Sequence, residues 1–369
     1  MSGLINLAKK QYVNYRYFKA YTIPQFLREV ILLPWDMRRD DGRSSRVLNL
    51  ALFVTLRCNA QCAMCNLSEL LNRQGDADMP LDRMERLLDE VAPHRPGIIL
   101  FGGEPFVRKD IVELVQAVKK RKLPVGLFTN GLLLNEDLAQ RLITEGLDYI
   151  AFSLQGTREV HDRILAAPRA YDKMVANIER FVRTRPRRTK VITHTTICDH
   201  NLDDLESLAE TALGLGVDLV RFGHPTFYSP EEGAVSTQAL KKAFPDDPRI
   251  HATSWIYDVK EKADHYIERI TAFQRAFGRR VAFTPVLSAE ELRSWYSPRF
   301  RSKRHCLFAW RALFIQPNGD AYPCESISHS LGNVFEEGFF KVWNGPRYTS
   351  FRKALKKGLF PACARCCKL

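Results

Sequence analysis

The sequence predicts an α/β protein: a partial (β/α)6 TIM-type barrel followed by a small cysteine-rich α+β domain. Six short runs carry the first part: Leu48–Leu56, Gly97–Phe101, Val125–Thr129, Tyr149–Leu154, Val191–Ile197 and Val217–Phe222. They are apolar on both faces, as strands buried in a parallel sheet are. Between them lie the amphipathic segments Leu81–Val91, Ile111–Arg121, Asn135–Glu145, Tyr171–Arg183 and Leu202–Leu215. Asp82, Asp110, Asn135 and Asn201 stand near their starts as candidate caps. Six repeats rather than eight predict an open barrel. Right-handed crossovers then gather all strand C-terminal ends on one rim.

In chain order, residues 1–46 are a basic, aromatic-rich leader ending in the polar turn Arg38 to Ser45, and residues 47–222 are the barrel core. Lys9, Lys10, Arg16 and Lys19 suit an anionic membrane surface or, as preferred here, a helix packed beneath the barrel. Residues 223–305 form a bridging region with a helical stretch, Trp255–Phe277, and an isolated strand, Val281–Pro285. Residues 306–369 carry a hairpin signal: Ala312–Gln316, the turn Pro317-Asn318-Gly319-Asp320, then Ala321–Pro323.

Ordinary apolar and charged fractions argue against disorder. The net charge of +13 hints at nucleic acid, but its position weakens the hint. Lys119 to Lys122 and Arg183 to Lys190 precede strands, on the barrel face opposite the rim, so a solvated face and no nucleic acid are expected. Arg299, Arg301, Lys303 and Arg304 differ, because they run into Cys306. Pro24, Gln25, Arg28 and Glu29 interrupt the N-terminal apolar stretch, and no run approaches the roughly 20 apolar residues of a span. The expectation is a cytoplasmic protein with no integral membrane segment.

Nine cysteines, an odd count without an export signal, argue for metal or cluster ligation rather than a disulfide framework. Cys58, Cys62 and Cys65 follow the first strand within the polar loop Arg57–Asn66. Three thiolates around a four-iron cluster leave one iron without a protein ligand. A zinc site wants a fourth nearby Cys or His, and none follows here.

This Cys-x3-Cys-x2-Cys loop resembles that of the radical S-adenosylmethionine superfamily, and the resemblance covers about residues 47–222. It implies a [4Fe-4S] cluster whose open iron chelates S-adenosyl-L-methionine. Cleavage to methionine and a 5′-deoxyadenosyl radical follows, then hydrogen abstraction from substrate. It also implies an external reductant such as flavodoxin or ferredoxin. Further matches are Gly102-Gly103-Glu104-Pro105, where Glu104 would pair with the cofactor's ammonium, and Thr129, Asn130 and Ser153 at strand ends. Met64 stands where the family often packs an aromatic by the adenine, and Arg221 is a candidate for the cofactor's carboxylate. His161-Asp162-Arg163 is similar to a common family segment, although the carboxylate often found near Gln155 is missing.

Cys306, Cys324, Cys363 and Cys366 resemble the cysteine-rich C-terminal extension of such enzymes, SPASM in its short twitch form. The resemblance implies one auxiliary [4Fe-4S] cluster, an electron relay or acceptor if protein ligates it fully. Cys367 could replace Cys366, and a zinc ribbon is the alternative. Cys198 reads as a core residue.

Candidates for the chemistry after abstraction are Arg221, His224 and Tyr228, with His194 and Thr196 sharing one face of the fifth strand. The blander readings are a salt bridge for Arg221, a turn cap for His224 and exposed surface for Glu325. The expected substrate is a small polar metabolite of sugar, aminocyclitol or nucleoside type, undergoing oxidation, elimination or decarboxylation. The alternative is a peptide-modifying enzyme forming a cross-link or epimer; 46 residues before the first strand leave no room for the winged-helix leader-binding module such enzymes commonly carry. A cluster- or zinc-binding scaffold without catalysis fits poorly with the open three-cysteine loop.

Overall fold

The computed structural model describes residues 23–73, 78–247, 250–252, 255–256, 261–278, 280–297, 300, 302, 304–366 and 368. A helix α1 (Ile23–Arg38) precedes β1 (Asn49–Thr55), α2 (Leu81–Val91), β2 (Gly97–Gly102), α3 (Ile111–Lys120), β3 (Val125–Thr129) and α4 (Glu136–Thr144). There follow β4 (Tyr149–Phe152), α5 (Arg158–Leu165), α6 (Ala170–Thr184), β5 (Lys190–Thr196), α7 (Leu205–Gly214) and β6 (Leu219–Gly223). The six strands stand in sequence order and pair in parallel.

Beyond Gly223 lie β7 (Phe227–Tyr228), α8 (Pro230–Ala243), β8 (His251–Ala252), β9 (Trp255–Ile256), α9 (Ala263–Phe277), β10 (Ala282–Thr284) and α10 (Ala289–Trp295). The C-terminal part holds β11 (Ala312–Ile315), β12 (Asp320–Tyr322), β13 (Ile327–Ser328), β14 (Gly332–Asn333), α11 (Val334–Glu337), α12 (Phe339–Trp343) and α13 (Pro346–Lys356). The predicted hairpin is β11 and β12, antiparallel with Phe314 opposite Tyr322.

Three expectations change. The strand expected to stand alone, β10, pairs in parallel with β6, Ala282 opposite Arg221. The hairpin does not fold apart from the barrel: β11 pairs in parallel with β1, Asn49 opposite Ala312 and Leu52 opposite Ile315. One sheet of ten strands results, in the order β10-β6-β5-β4-β3-β2-β1-β11-β12-β14. An open six-stranded barrel has two bare edges, and both are covered by strands from outside the repeat. The helix expected over Trp255–Phe277 starts only at Ala263, since Trp255–Ile256 pairs with Phe227–Tyr228 instead. Among the candidate caps, Asn135 accepts from the Leu138 N–H, whereas Asp110 is held by Arg108 and Asp82 lies inside the first turn of α2.

The sheet has two faces with separate cores. Its outer face packs on the helices through residues such as Leu50, Leu52, Ile98, Leu127, Ile150 and Phe222. Its inner face is aromatic: Phe53 and Phe314 with Phe101 at one side, Tyr149, Ile192 and Leu219 with Phe128 at the other. Alternation along each strand enforces this division. The part of the leader that is described, from Ile23 on, is clamped to the C-terminal part, while Lys9, Lys10, Arg16 and Lys19 lie outside the described residues. Asp36 is buried on Arg311 Nη1 at 2.7 Å, and Arg352, also buried, donates to the Ala309 and Trp343 carbonyls while its guanidinium lies 3.8 Å from the centre of the Tyr348 ring.

Candidate functional site: a cysteine loop on the barrel rim and a second cysteine group beside it

Thr55 ends β1, and the chain turns directly into the loop bearing Cys58, Cys62 and Cys65. The base of the loop is held by hydrogen bonds its sequence does not advertise. Asn72 receives the Cys58 N–H at 2.8 Å and returns a bond to the Cys58 carbonyl. The Gln61 and Ala63 N–H groups reach the Leu165 and Ile164 carbonyls at the end of α5. Gly102 and Gly103 bring β2 against this base: the Gly103 N–H donates to Thr55 and the Glu104 N–H to Arg57. A Cβ at either glycine would stand 2.2 or 2.1 Å from those carbonyls, and Gly102 also has φ of +136°, so both places need glycine.

Burial raises the pKa of all three loop thiols, pushing Cys62 up to about 12 with the neighbouring Cys65 and Cys58 adding to it. Nearby backbone N–H groups work the other way and favour the thiolate, those of Ala60 and Asn59 at Cys58 and those of Leu67 and Ser68 at Cys65. Three buried thiols whose ionised forms would repel one another need a cationic partner to be held as thiolates, as iron would be. No three of the described His, Cys, Asp or Glu side chains close round a single metal ion.

Glu104 is 1% exposed and accepts from Phe106 N, Thr129 Oγ1 and Asn130 N at 3.0, 2.8 and 2.7 Å. Burial outweighs these bonds and raises its pKa to about 7. The carboxylate thus ties the ends of β2 and β3 together, and Pro105 opens the short turn Pro105–Val107 that it caps. Asn130 Nδ2 donates to Asn59 in the cysteine loop at 2.8 Å, a link no motif announces. The Ser153 N–H donates to the Thr129 carbonyl. Met64 and Cys62 pack on Ile164, Leu165, Ala170 and buried Cys198.

Gln155 explains the missing carboxylate. It is 3% exposed, its amide donates to the His194 carbonyl at 3.3 Å and accepts from Thr196 N at 2.9 Å. Both ends of an amide are used, which a carboxylate cannot match. His161 is buried and its Nδ1 accepts from Gln155 N, while Asp162 caps the turn before α6 by accepting from Arg169 N and Tyr171 N.

On the inner face, Arg221 Nε donates to His194 Nδ1 at 3.0 Å and its guanidinium lies 5.8 Å from the centre of the Phe128 ring. Burial and the Arg221 charge hold His194 well below the ordinary histidine range, so it is neutral with Nδ1 accepting. The other two candidates are placed differently. His224 is 2% exposed among Phe283, Trp295 and Tyr296, its Nδ1 3.3 Å from Tyr296 Oη, with burial lowering its pKa to about 3. Tyr228 is 3% exposed and leans on Gly233 of α8. The strand ends at Gly223, and Phe227, Trp295 and Tyr296 beyond it join the outer-face core rather than the inner-face groups.

Cys324 follows β12 and packs, with Tyr322 and Phe308, on the inner-face group Ala51, Phe53 and Phe314. Burial raises Cys324 to about 12 and Cys363 well above the ordinary thiol range; Cys306 adds to both, and Cys324 adds to Cys363. Cys306, Cys324 and Cys363 are each partly buried and packed against the main core. Cys366 accepts from the Lys368 N–H at 3.4 Å; Cys367 lies outside the described residues. Lys368 Nζ donates to Glu325 at 2.6 Å and lies 5.0 Å from the centre of the Phe314 ring. Glu325 is thus part of a strap at the inner face rather than plain surface.

Comparison with known proteins agrees with this geometry. The Radical SAM superfamily profile matches residues 52–212, and that of the SPASM iron–sulfur cluster-binding domain matches residues 306–367. The chain is 24% identical over 310 residues to an AdoMet-dependent heme synthase of Methanosarcina barkeri, covering 82% of this chain and 83% of that one. It is 25% identical over 321 residues to a PqqA peptide cyclase of Granulibacter bethesdensis, covering 83% and 76%. The fold is similar to Streptococcus suis SuiB bound to its precursor peptide SuiA, with a TM-score of 0.61 at 16% identity over 90% of this chain and 72% of that one. The chain belongs to the radical S-adenosylmethionine superfamily, as an enzyme that takes a [4Fe-4S] cluster and S-adenosyl-L-methionine in its barrel and carries an auxiliary iron–sulfur cluster in a C-terminal SPASM domain.

Proposed function

We propose that this enzyme abstracts a hydrogen atom from a small polar metabolite held in the barrel interior, with Arg221 and His194 as the groups that orient it. The observation that carries the reading is the Arg221 Nε to His194 Nδ1 bond of 3.0 Å, on an inner face that also carries Phe53, Phe101, Phe128 and Phe314 and, over Phe314, the Lys368–Glu325 pair. A polar pair in an aromatic chamber is the usual composition of a small-molecule site. Cys58, Cys62 and Cys65 would hold the cluster, and Glu104, Thr129, Asn130 and Ser153 stand on the adjoining strand ends to hold the cofactor. When bound, that group supplies a 5′-deoxyadenosyl radical. The chain's part is positional: the aromatic wall excludes water, and the hydrogen bond from Arg221 keeps Nδ1 of His194 an acceptor, leaving Nε2 to donate. His224 and Tyr228 are given no part in this reading, since both are packed away.

A peptide substrate is the second reading. The SuiB–SuiA complex and the PqqA peptide cyclase both concern peptides. Turnover with deuterated candidates tests both. Deuterium should enter 5′-deoxyadenosine from a small metabolite, and Arg221→Met should lower that transfer about a hundredfold while substrate-free cofactor cleavage persists. Label arriving only from a precursor peptide would favour the second reading. Wild-type cleavage yielding mainly S-adenosylhomocysteine would defeat both.

A further inference from the structure

We propose that α1 docks this enzyme on an anionic lipid surface, lying in the headgroup plane with Ile31 and Trp35 inserted. One side of α1 is committed to the protein: Leu33 is 3% exposed, and Asp36 is buried against Arg311 and accepts from Ser45 N and Oγ. Ile31 and Trp35 are 71% and 51% exposed and lie one turn apart, in a single row on the helix. The other large apolar side chains exposed among the described residues, Leu70, Leu133, Val235 and Val286, are scattered; only this pair shares a helix. Isolated exposed apolar residues are ordinary, but a paired isoleucine and tryptophan on a helix fixed at its back is a presented face.

Charge says what covers that face. Residues 1–41 contain Lys9, Lys10, Arg16, Lys19, Arg28, Arg38 and Arg39 against Glu29, Asp36, Asp40 and Asp41; Asp36 is neutralised by Arg311 and Asp40 pairs with Lys356. The cations before the helix alternate with Tyr12, Tyr15, Tyr17, Phe18 and Tyr21, residue types that sit at the level of lipid headgroups. The Arg39 guanidinium, which also pairs with Asp41, is 4.6 Å from the centre of the Trp35 ring and borders the apolar face. A second copy of a chain with net charge +13 would be repelled from such a patch, whereas an anionic bilayer would be attracted to it. No described helix is long and apolar enough to cross a membrane, so the association is peripheral.

Cosedimentation of the full-length, cluster-reconstituted enzyme with extruded vesicles tests this. Binding is expected with phosphatidylcholine vesicles containing one-third phosphatidylglycerol, little with pure phosphatidylcholine, and a steep fall as salt is raised. Ile31→Ser combined with Trp35→Ser should weaken binding at least about tenfold. Lys9→Glu with Lys10→Glu should weaken it through charge alone. Both variants should still form 5′-deoxyadenosine at the wild-type rate, which shows that they fold. No cosedimentation, or binding indifferent to both pairs of substitutions, overturns the proposal. So does a concentration-dependent dimer that the Ile31 and Trp35 substitutions dissolve, which would assign the face to a second copy.

Discussion

Glu104 accepts three hydrogen bonds inside the protein, yet burial still holds its pKa near 7 against an ordinary 4.5. The folded chain therefore keeps a proton that the unfolded chain releases between those two values. Stability should fall as pH rises through that window, by at most about 3 kcal/mol. Glu104→Gln should flatten this slope, measured as urea midpoints at about pH 5 and about pH 8. The pH dependence is the readout rather than absolute stability, because a glutamine cannot accept from all three donors. Saturating S-adenosylmethionine should flatten the wild-type slope too, if its ammonium meets the carboxylate. An unchanged slope in the variant would show that Glu104 does not titrate there. The motif around Glu104 was legible in the sequence; its burial was not. Gln155 is the converse case, a departure from the family pattern whose reason appears only when His194 and Thr196 are found at either end of its amide.

At the level of elements, the strands were readable because each is apolar on both faces and short. Which strand lies beside which was less so. Ala312–Ile315 reads as half of a local hairpin, and it is one, but its other edge pairs with β1. Leu313 and Ile315 are fully buried and Phe314 joins the inner aromatic group, so β11 is as much a barrel strand as a hairpin strand. The two cysteine groups are therefore not carried by independently folding units. Deleting residues 306–369 should expose the β1 edge, remove Arg311 from buried Asp36 and drive the remainder to aggregate. Size-exclusion chromatography and thermal unfolding of residues 1–305 would check this. A monomer with cooperative unfolding would restore the view of the C-terminal part as an appendage. Cys324→Ala should disturb the inner face as well, since Cys324 packs on Phe53 and Phe314.

For the whole molecule, two cysteine groups on one sheet predict its metal content. Anaerobically reconstituted protein should hold about eight irons, and replacing Cys58, Cys62 and Cys65 by Ala should leave about four, by iron and sulfide analysis. About four irons with stoichiometric zinc in the wild type would contradict an auxiliary four-iron cluster. The sequence by itself determined the α/β barrel, the radical-generating loop and the cysteine-rich hairpin, because each is written in spacing over a few neighbouring residues. Only the tertiary structure decided that Arg221 meets His194, that Cys324 lies against the barrel interior, and that the leader is clamped through Asp36 to Arg311. Those contacts join residues from 27 to 275 positions apart. The reason is physical: periodicity and spacing record which face of its own element a residue occupies, while partnership across elements is set by strand order and register.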